Sequence, residues 1–416
     1  MSAGLLGAHF FRHEYGRLVA TLARRVGTHH LEAVEDAAQS ALVAALETWP
    51  LGSVPENPSA WLSRVAWNHV MGELRGRARR ERLLERYGAP EAETADAPAP
   101  LLAGDVGDDL LQMLFTCCED SIPAESQLVL ALKTLSGFSV GEIAERLFLT
   151  EANVYKRVER ARTRLRDLPF GAQDLTPPQL TQRAPGVLAI LYTMFTEGYL
   201  SSHAEHAIRR ELCDEARRLA TLLAEHPVTA RPETFALLAL MHFHTARLSA
   251  RENDFGGLNL LAEQDRSLWD PHEIRAGLEW LARSAEGDVF TRYHAEAGIA
   301  AEHCLAPTFR ETRWERIVDL YALVEGIAPS PIHALNRALA VAEWKGPEAG
   351  LAVVVELVPP SWLVGSYLWA AVLADLHRRC GHDDVASRYR EEAVEGAPSE
   401  RVKEALRRRL GDSGHR

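Results

Sequence analysis

The stretch Phe138–Arg166, FSVGEIAERLFLTEANVYKRVERARTRLR, decides how the rest of the chain is read. It holds two apolar-periodic segments separated by a tight turn. Ser139 with Glu142 three residues on makes a capping box for the first segment, in which each side chain satisfies the other's orphan backbone N–H. Ile143, Ala144 and Leu147 face inward on it. Leu149-Thr150 makes the turn, and Thr150 caps the second segment. There Val154, Val158, Ala161 and Leu165 fall on one helical stripe. Ala152, Asn153, Lys156, Arg157 and Arg160 are left on the outward face of its N-terminal half. A helix-turn-helix places that end of its second helix in the major groove. Arg and Lys there pair with guanine edges and Asn with adenine. Arg162, Arg164 and Arg166 lie further along and suit backbone phosphates, which set register without reading sequence. A basic amphipathic helix with a solvated face is the plainer alternative, but cap, turn, stripe and basic face agree on a DNA reader.

The charge of the whole chain sits awkwardly with that reading. Its 416 residues carry a net charge of −12, and nonspecific DNA affinity comes from phosphate neutralisation. The charge is unevenly placed. Arg64–Arg86 holds seven arginines against three glutamates, and Glu151–Arg166 holds six Lys/Arg against two Glu. Residues 169–416 carry 27 basic and 35 acidic side chains. Two cationic islands precede an acidic body, so a DNA-binding function requires help from elsewhere.

Working outward, helical periodicity is nearly continuous and strand alternation nearly absent, which predicts an all-α protein of several domains. A first helix is expected over about His9–Val26, with Phe11, Tyr15, Leu18, Leu22 and Val26 on one stripe, and a second over about Leu31–Trp49. Gly52, Pro55 and Pro58 then break the pattern. Asn57 caps a third helix that starts at Pro58 and runs to about Arg86. In that helix Leu62, Val65, Ala66 and Leu74 face the core. Arg64, Asn68 and Arg75 lie on another face beside Trp61 and Trp67. Cations next to aromatic rings suit unstacked bases, although two core tryptophans beside a solvated basic end read equally well. Residues 87–107 contain three prolines, four acids and no Lys or Arg. They read as an extended linker reaching up to roughly 70 Å. A Pro-containing joint, GAQDLTPPQLTQRAP, follows the quoted stretch, and from Gly186 onward helices of about 12–18 residues suggest stacked hairpins. Two segments are like tetratricopeptide repeats: one through Ala374, Gly381, Tyr389, Ala393 and Pro398, another through Ala334, Ala338, Gly346 and Ala349.

This order of parts resembles the bacterial RNA polymerase sigma factors of the extracytoplasmic-function class, in the subgroup with a fused C-terminal helical-repeat extension. The resemblance rests on LEAVEDAAQSALVAALETWP, WLSRVAWNHVMGELRGRARRE, the segment from LFTCC through the quoted helices, and the later LYTMFTEGYLSS, LLAEQDRSLWDP and APSPIHALNRALAVAEWKGPEAGLA. It implies a region 2-like domain over 8–86, the linker 87–107, a region 4-like helix-turn-helix domain over 108–168 and a repeat domain over 180–410. By position, Glu35, Asp36 and Gln39 match the helix that binds core polymerase. The loop Gly52–Asn57 with Trp61, Arg64 and Asn68, joined by Arg75, matches the −10 region. Ala152, Asn153, Lys156, Arg157 and Arg160 match the −35 helix. The linker would span two elements about 17 base pairs, or ~58 Å, apart. The implied partners are core polymerase, promoter DNA and a regulatory protein for the C-terminal domain. The chain departs from the family in SALVAALE, which lacks a further acid and a larger apolar residue. Glu119 stands where the subgroup tends to have His, and VAWNHVMGEL is more apolar than usual.

Other chemistry finds little in the sequence. The five cysteines (Cys117, Cys118, Cys213, Cys304, Cys380) are scattered and odd in number, which suggests a reducing compartment and core packing. His242 and His244 do not share a helix face, and no CxxC, HExxH, Walker, GxGxxG or GxSxG spacing occurs. The expectations are no metal, no cofactor and no catalysis. No apolar run reaches about 18 residues, and Met1–Arg17 lacks a basic segment ahead of its apolar residues, so a cytoplasmic protein without membrane contact is expected. The C-terminal body is expected to dock a protein. The competing role is sensing a small ligand, with Tyr192, Phe195, Tyr199, Trp269, Trp280, Trp314 and Trp344 as candidate pocket aromatics. A stand-alone helix-turn-helix regulator with a partner- or ligand-sensing repeat domain is the alternative for the whole chain.

Overall fold

Helices form where the apolar spacing places them, because each stripe has a neighbouring stripe to cover it. A computed structural model describes residues 8–49, 54–85, 108–168, 175–201, 208–252, 258–397 and 400–411. Every element among the described residues is helical, apart from one isolated bridge between Glu252 and Leu258. The chain divides into two units, Met1–Met194 with His226–Val228, and Phe195–Glu225 with Thr229–Arg416. The expected linker lies outside the described residues, as do Gly52, Ser53 and Pro398.

The first unit begins with α1 (Ala8–Val26), α2 (Leu31–Thr48) and α3 (Pro58–Glu85). Leu18, Val19, Leu22, Val34, Ala38, Leu62, Ala66 and Val70 bury their side chains among these three. Asn57 starts α3 as a cap, its Oδ1 accepting from Ala60 N at 2.9 Å. Four helices follow: α4 (Asp109–Cys117), α5 (Ala124–Thr134), α6 (Val140–Arg146) and α7 (Glu151–Arg166). Phe115, Leu132, Phe138, Ile143, Val154 and Leu165 form their core. Cys117 and Cys118 are both buried there, and burial pushes the Cys118 thiol up to about 12.

The joint to the second unit differs from expectation. The first part of GAQDLTPPQLTQRAP lies outside the described residues, but its second half is helical: α8 runs over Pro177–Tyr199 with Pro185 inside it. Proline at that point removes one backbone donor, yet the helix continues because its flank is anchored. Buried Arg183 donates to the Phe115 carbonyl and to Glu119, both at 3.5 Å. Position 180, where the repeat domain was expected to begin, therefore lies inside a helix.

The second unit contains α9 (Arg210–Glu225), α10 (Pro232–Ala246), α11 (Leu248–Arg251), α12 (Pro271–Ser284), α13 (Arg292–Leu305), α14 (Trp314–Ile327), α15 (Pro331–Lys345), α16 (Pro347–Val355), α17 (Ser361–Val364), α18 (Tyr367–Arg379), α19 (Asp383–Glu395) and α20 (Glu400–Leu410). α10 is apolar nearly all round and packs against α9, α12 and α13, the behaviour of a central buried helix. α15–α16 and α18–α19 are the two hairpins read as repeats. Their turns use Gly346 at φ +97 and Gly381 at φ +77, a region that L side chains avoid. The small residue at the α15–α16 contact is Gly350 rather than Ala349; a Cβ on it would meet the Ala342 Cβ at 2.6 Å.

Glu273 ties three helices of this unit together. It accepts from Arg217 at 2.5 Å and bonds His242 Nδ1 at 2.6 Å. The His242 hydrogen bond, with Arg217 beside it, holds its carboxyl down to about 2. A depressed carboxyl stabilises the fold above its unfolded value and loses that contribution as pH falls. Glu273→Gln is expected to lower stability at neutral pH by about 1–2 kcal/mol, discounted for partial exposure. Urea unfolding of both chains should show that gap closing as pH falls from about 5 towards 2.

Candidate nucleic-acid interface

The helix-turn-helix is built as its sequence requires. Ser139 Oγ accepts from Glu142 N at 3.1 Å, and Glu142 accepts from Ser139 N at 2.6 Å, the reciprocal pair of a capping box. Thr150 accepts from Asn153 N at 3.3 Å and starts α7. One feature of the turn was not read from the sequence. Phe148, not Leu149, carries the reversal, at φ 54, with Leu149 N bonding back to the Ala144 carbonyl at 2.8 Å. A glycine is usual there; the left-handed Phe148 leaves its ring exposed.

On α7, Val154, Val158, Ala161 and Leu165 are buried while Ala152, Asn153, Lys156 and Arg160 are exposed. Arg157 is less available, because it pairs with Glu125 of α5 at 2.6 Å. Tyr155 is 61% exposed beside Lys156, a residue the periodicity passed over because an aromatic at one polar position breaks no stripe. Its ring can contact a thymine methyl in the groove.

The region around α3 is mixed. Asn57, Arg64, Asn68 and Arg75 are exposed. Trp61 is half-buried and packs edge-on against buried Trp49, ring centroids 5.5 Å apart. Trp67 lies under the Arg25 guanidinium at 5.5 Å. Both tryptophans are thus engaged within the protein.

The α2 residues divide as well. Asp36 and Gln39 are exposed, but Glu35 is only 5% exposed. It accepts from Thr134 Oγ1 at 2.9 Å and pairs with Arg162 of α7. This is one of several polar contacts holding α1 and α2 against α4, α5, α6 and α7. Asp109 accepts from Arg24 at 2.6 Å and from Thr21 at 2.9 Å. Arg12 pairs with Glu142 at 3.5 Å, and Arg166 with Glu32 at 3.3 Å. Arg162 and Arg166, expected at DNA phosphates, are therefore held by α2 in this arrangement. Of the six cations on α7, Arg157, Arg162 and Arg166 face carboxylates.

Residues 11–80 match the Sigma-70 region 2 family, and residues 113–165 match the Sigma-70, region 4 family. The chain belongs to the sigma-70 family. It is a sigma factor like those of the extracytoplasmic-function class, carrying a C-terminal extension of which residues 183–285 match a family of unknown function, DUF6596. Its partners are accordingly core RNA polymerase and promoter DNA, and its role is promoter-directed transcription initiation. An uncharacterized protein of Rhizobium meliloti (strain 1021) is 36% identical over 335 residues, covering 79% of this chain and 78% of that protein. No solved structure matches. Among the described residues, no helix is long and apolar enough to cross a membrane.

The contact between the two sigma regions depends on a bare backbone. A Cβ on Gly16 of α1 would sit 1.9 Å from the Leu135 carbonyl oxygen, a position no side chain can take. Gly16→Ala is expected to wedge α1 away from the end of α5, destabilising the contact by about 1–3 kcal/mol. Small-angle scattering should report a larger radius of gyration, and an unchanged radius would contradict the packing described.

Proposed function

We propose that the sigma factor alternates between this closed arrangement and an open, polymerase-bound one. In the open form Glu35 joins Asp36 and Gln39 in contacting core enzyme. Asn57, Trp61, Arg64, Asn68 and Arg75 then meet the −10 element, and Ala152, Asn153, Lys156, Arg157 and Arg160 the −35 element. The observation that supports this reading is the pairing of α7 arginines expected at DNA with acids of the same chain. Polymerase supplies the nonspecific grip, and the two cationic islands choose the site. The chain acts without catalysis of its own, without a cofactor, and in the cytoplasm.

For the C-terminal unit we infer protein docking. Val355, Val358, Trp362 and Val364 are exposed along the α16–α17 edge, with Val358 96% exposed. An apolar run of that kind on a helical repeat marks a contact surface. Val358→Asp in the full chain is expected to reduce activity with core polymerase while leaving the melting temperature unchanged.

Reconstituted transcription tests the main reading. Purified chain added to core polymerase should direct initiation from discrete start sites. Lys156→Ala or Asn153→Ala should lower output about 5–100-fold, the scale of one lost base contact. Glu35→Gln should raise the DNA affinity of the isolated chain by freeing Arg162, and weaken core binding. Tight, sequence-specific binding by the unmodified chain without polymerase would instead favour a stand-alone regulator.

A further inference from the structure

The second unit contains a group of three cations with no counterion, Arg247 buried and Arg251 and Arg266 half-buried. Arg247 closes α10, Arg251 closes α11, and Arg266 lies in the short turn Arg266–Leu268. Arg247 and Arg266 both face Trp269, their guanidinium carbons 5.4 and 4.4 Å from the ring centroid. Arg251 lies 4.0 Å over the Tyr199 ring, which in turn packs at 4.5 Å on His244. His303 of α13 completes the group: its carbonyl accepts from Arg266 at 2.5 Å. Arg247 is 6% exposed and Trp269 5% exposed.

Among the described residues, no carboxylate lies within ion-pair distance of Arg247, Arg251 or Arg266. The nearby acids are engaged elsewhere. Glu252 pairs with Arg210 at 3.8 Å, Glu263 with Arg408 at 3.3 Å, and Asp265 accepts from its own neighbour Ser267 at 2.7 Å. Buried polar atoms of the same group also lack partners: Tyr199 Oη, His244 Nδ1, Arg251 Nε, Arg266 Nη2, Trp269 Nε1 and His303 Nδ1. Each is a donor, or becomes one by choice of tautomer. Burial, and then the arginines alongside, hold both imidazoles neutral: His303 is brought down to about 3, and His244 lies well below its usual value.

A charge drawn into the protein without a partner is unfavourable. Arg247 Nε reaches only the neutral Gln264 Oε1, at 3.4 Å, and a set rich in donors and positive charge is best complemented by an anion that accepts. Water answers poorly, because each water brings two donors of its own and leaves the guanidinium charge unbalanced. An oxyanion accepts from every one of these groups and neutralises the charge. Three guanidinium groups match a dianion better than a monoanion, and neutral imidazoles donate to phosphate oxygen without adding further charge. We propose that the group formed by Arg247, Arg251, Arg266, His244, Tyr199 and Trp269 is a binding site for a phosphate-bearing small molecule. The site belongs to the extension alone and is independent of how the sigma regions meet DNA.

Thermal unfolding of the full chain with inorganic phosphate as the probe tests this. Acetate and chloride at matched ionic strength separate phosphate recognition from carboxylate binding and from general screening. The expected result is a saturable rise of about 3 °C or more at millimolar phosphate, with no comparable rise in acetate or chloride. Arg251→Gln should melt at the same or a higher temperature than the parent without phosphate, since it removes an uncompensated charge. It should need at least about tenfold more phosphate for half the response. The titration of the unaltered chain decides without any variant: no saturable, phosphate-specific shift overturns the proposal. An equal response to acetate, or an unchanged response in Arg251→Gln, overturns it too.

Discussion

A carboxylate at 5% exposure cannot stand alone, and Glu35 does not: Thr134 and Arg162 reach it from the other sigma region. Removing either partner strands a buried charge, which costs more than the pair contributes. Other polar pairs join the contact beside the close packing of Gly16 on Leu135. Arg24 with Asp109 and Arg166 with Glu32 are polar pairs with substantial exposure, and Arg12 pairs with the buried Glu142. Exposed pairs of this sort contribute little individually and weaken with salt. Each region keeps its own apolar core, Val19 and Leu62 in one and Phe115 and Leu132 in the other. On the proposed reading, separate cores let the joint come apart without unfolding either side.

The same pairs account for a basic helix in an acidic chain. On the proposed reading α7 uses its cations for phosphate and base edges, but three of them already have acidic partners on α2 and α5. Lys156, Arg160 and Arg164 stay solvent-facing. On the proposed reading, promoter DNA competes with Glu32, Glu35 and Glu125 for arginine. Core polymerase shifts that competition by engaging α2, which carries two of the three acids.

What the sequence disclosed follows from the range of each signal. Caps and stripes are local, so the bounds of α1 to α3, the Ser139 box and the Thr150 cap were legible to within a residue or two. Contacts between residues far apart leave no local trace. Glu35 was matched only by position to the core-binding helix, and nothing local marked it as buried because its partners lie 99 and 127 positions away. Pro185 read as a break because its compensation, the Arg183 anchor on Phe115 and Glu119, is tertiary. Trp61 read equally well as a base-stacking ring or a core residue, because Trp49, which decides it, sits just past the end of the preceding helix. Phe148 adopts a conformation that the sequence rules reserve for glycine, and only the backbone reveals it.

The C-terminal arginines carry that lesson further. Tyr199 and Trp269 were legible as aromatics at helical spacing, which ordinarily means core, and Trp269 is indeed buried. What spacing could not disclose is that Arg251 is brought over Tyr199 and Arg247 over Trp269 from other elements, to join Arg266 three residues before that ring. A fold selected for stability alone would place an acid among them, and residues 169–416 have 35 acids available. Places where local rules of charge pairing fail are where a binding function is to be sought. The acidic body around the group also sets terms for its ligand. Its long-range field repels anions, so capture depends on short, directed bonds inside the unit, and these discriminate by donor geometry and charge rather than by bulk attraction. Simple monovalent salts lack both the charge and the number of acceptor atoms to compete on those terms.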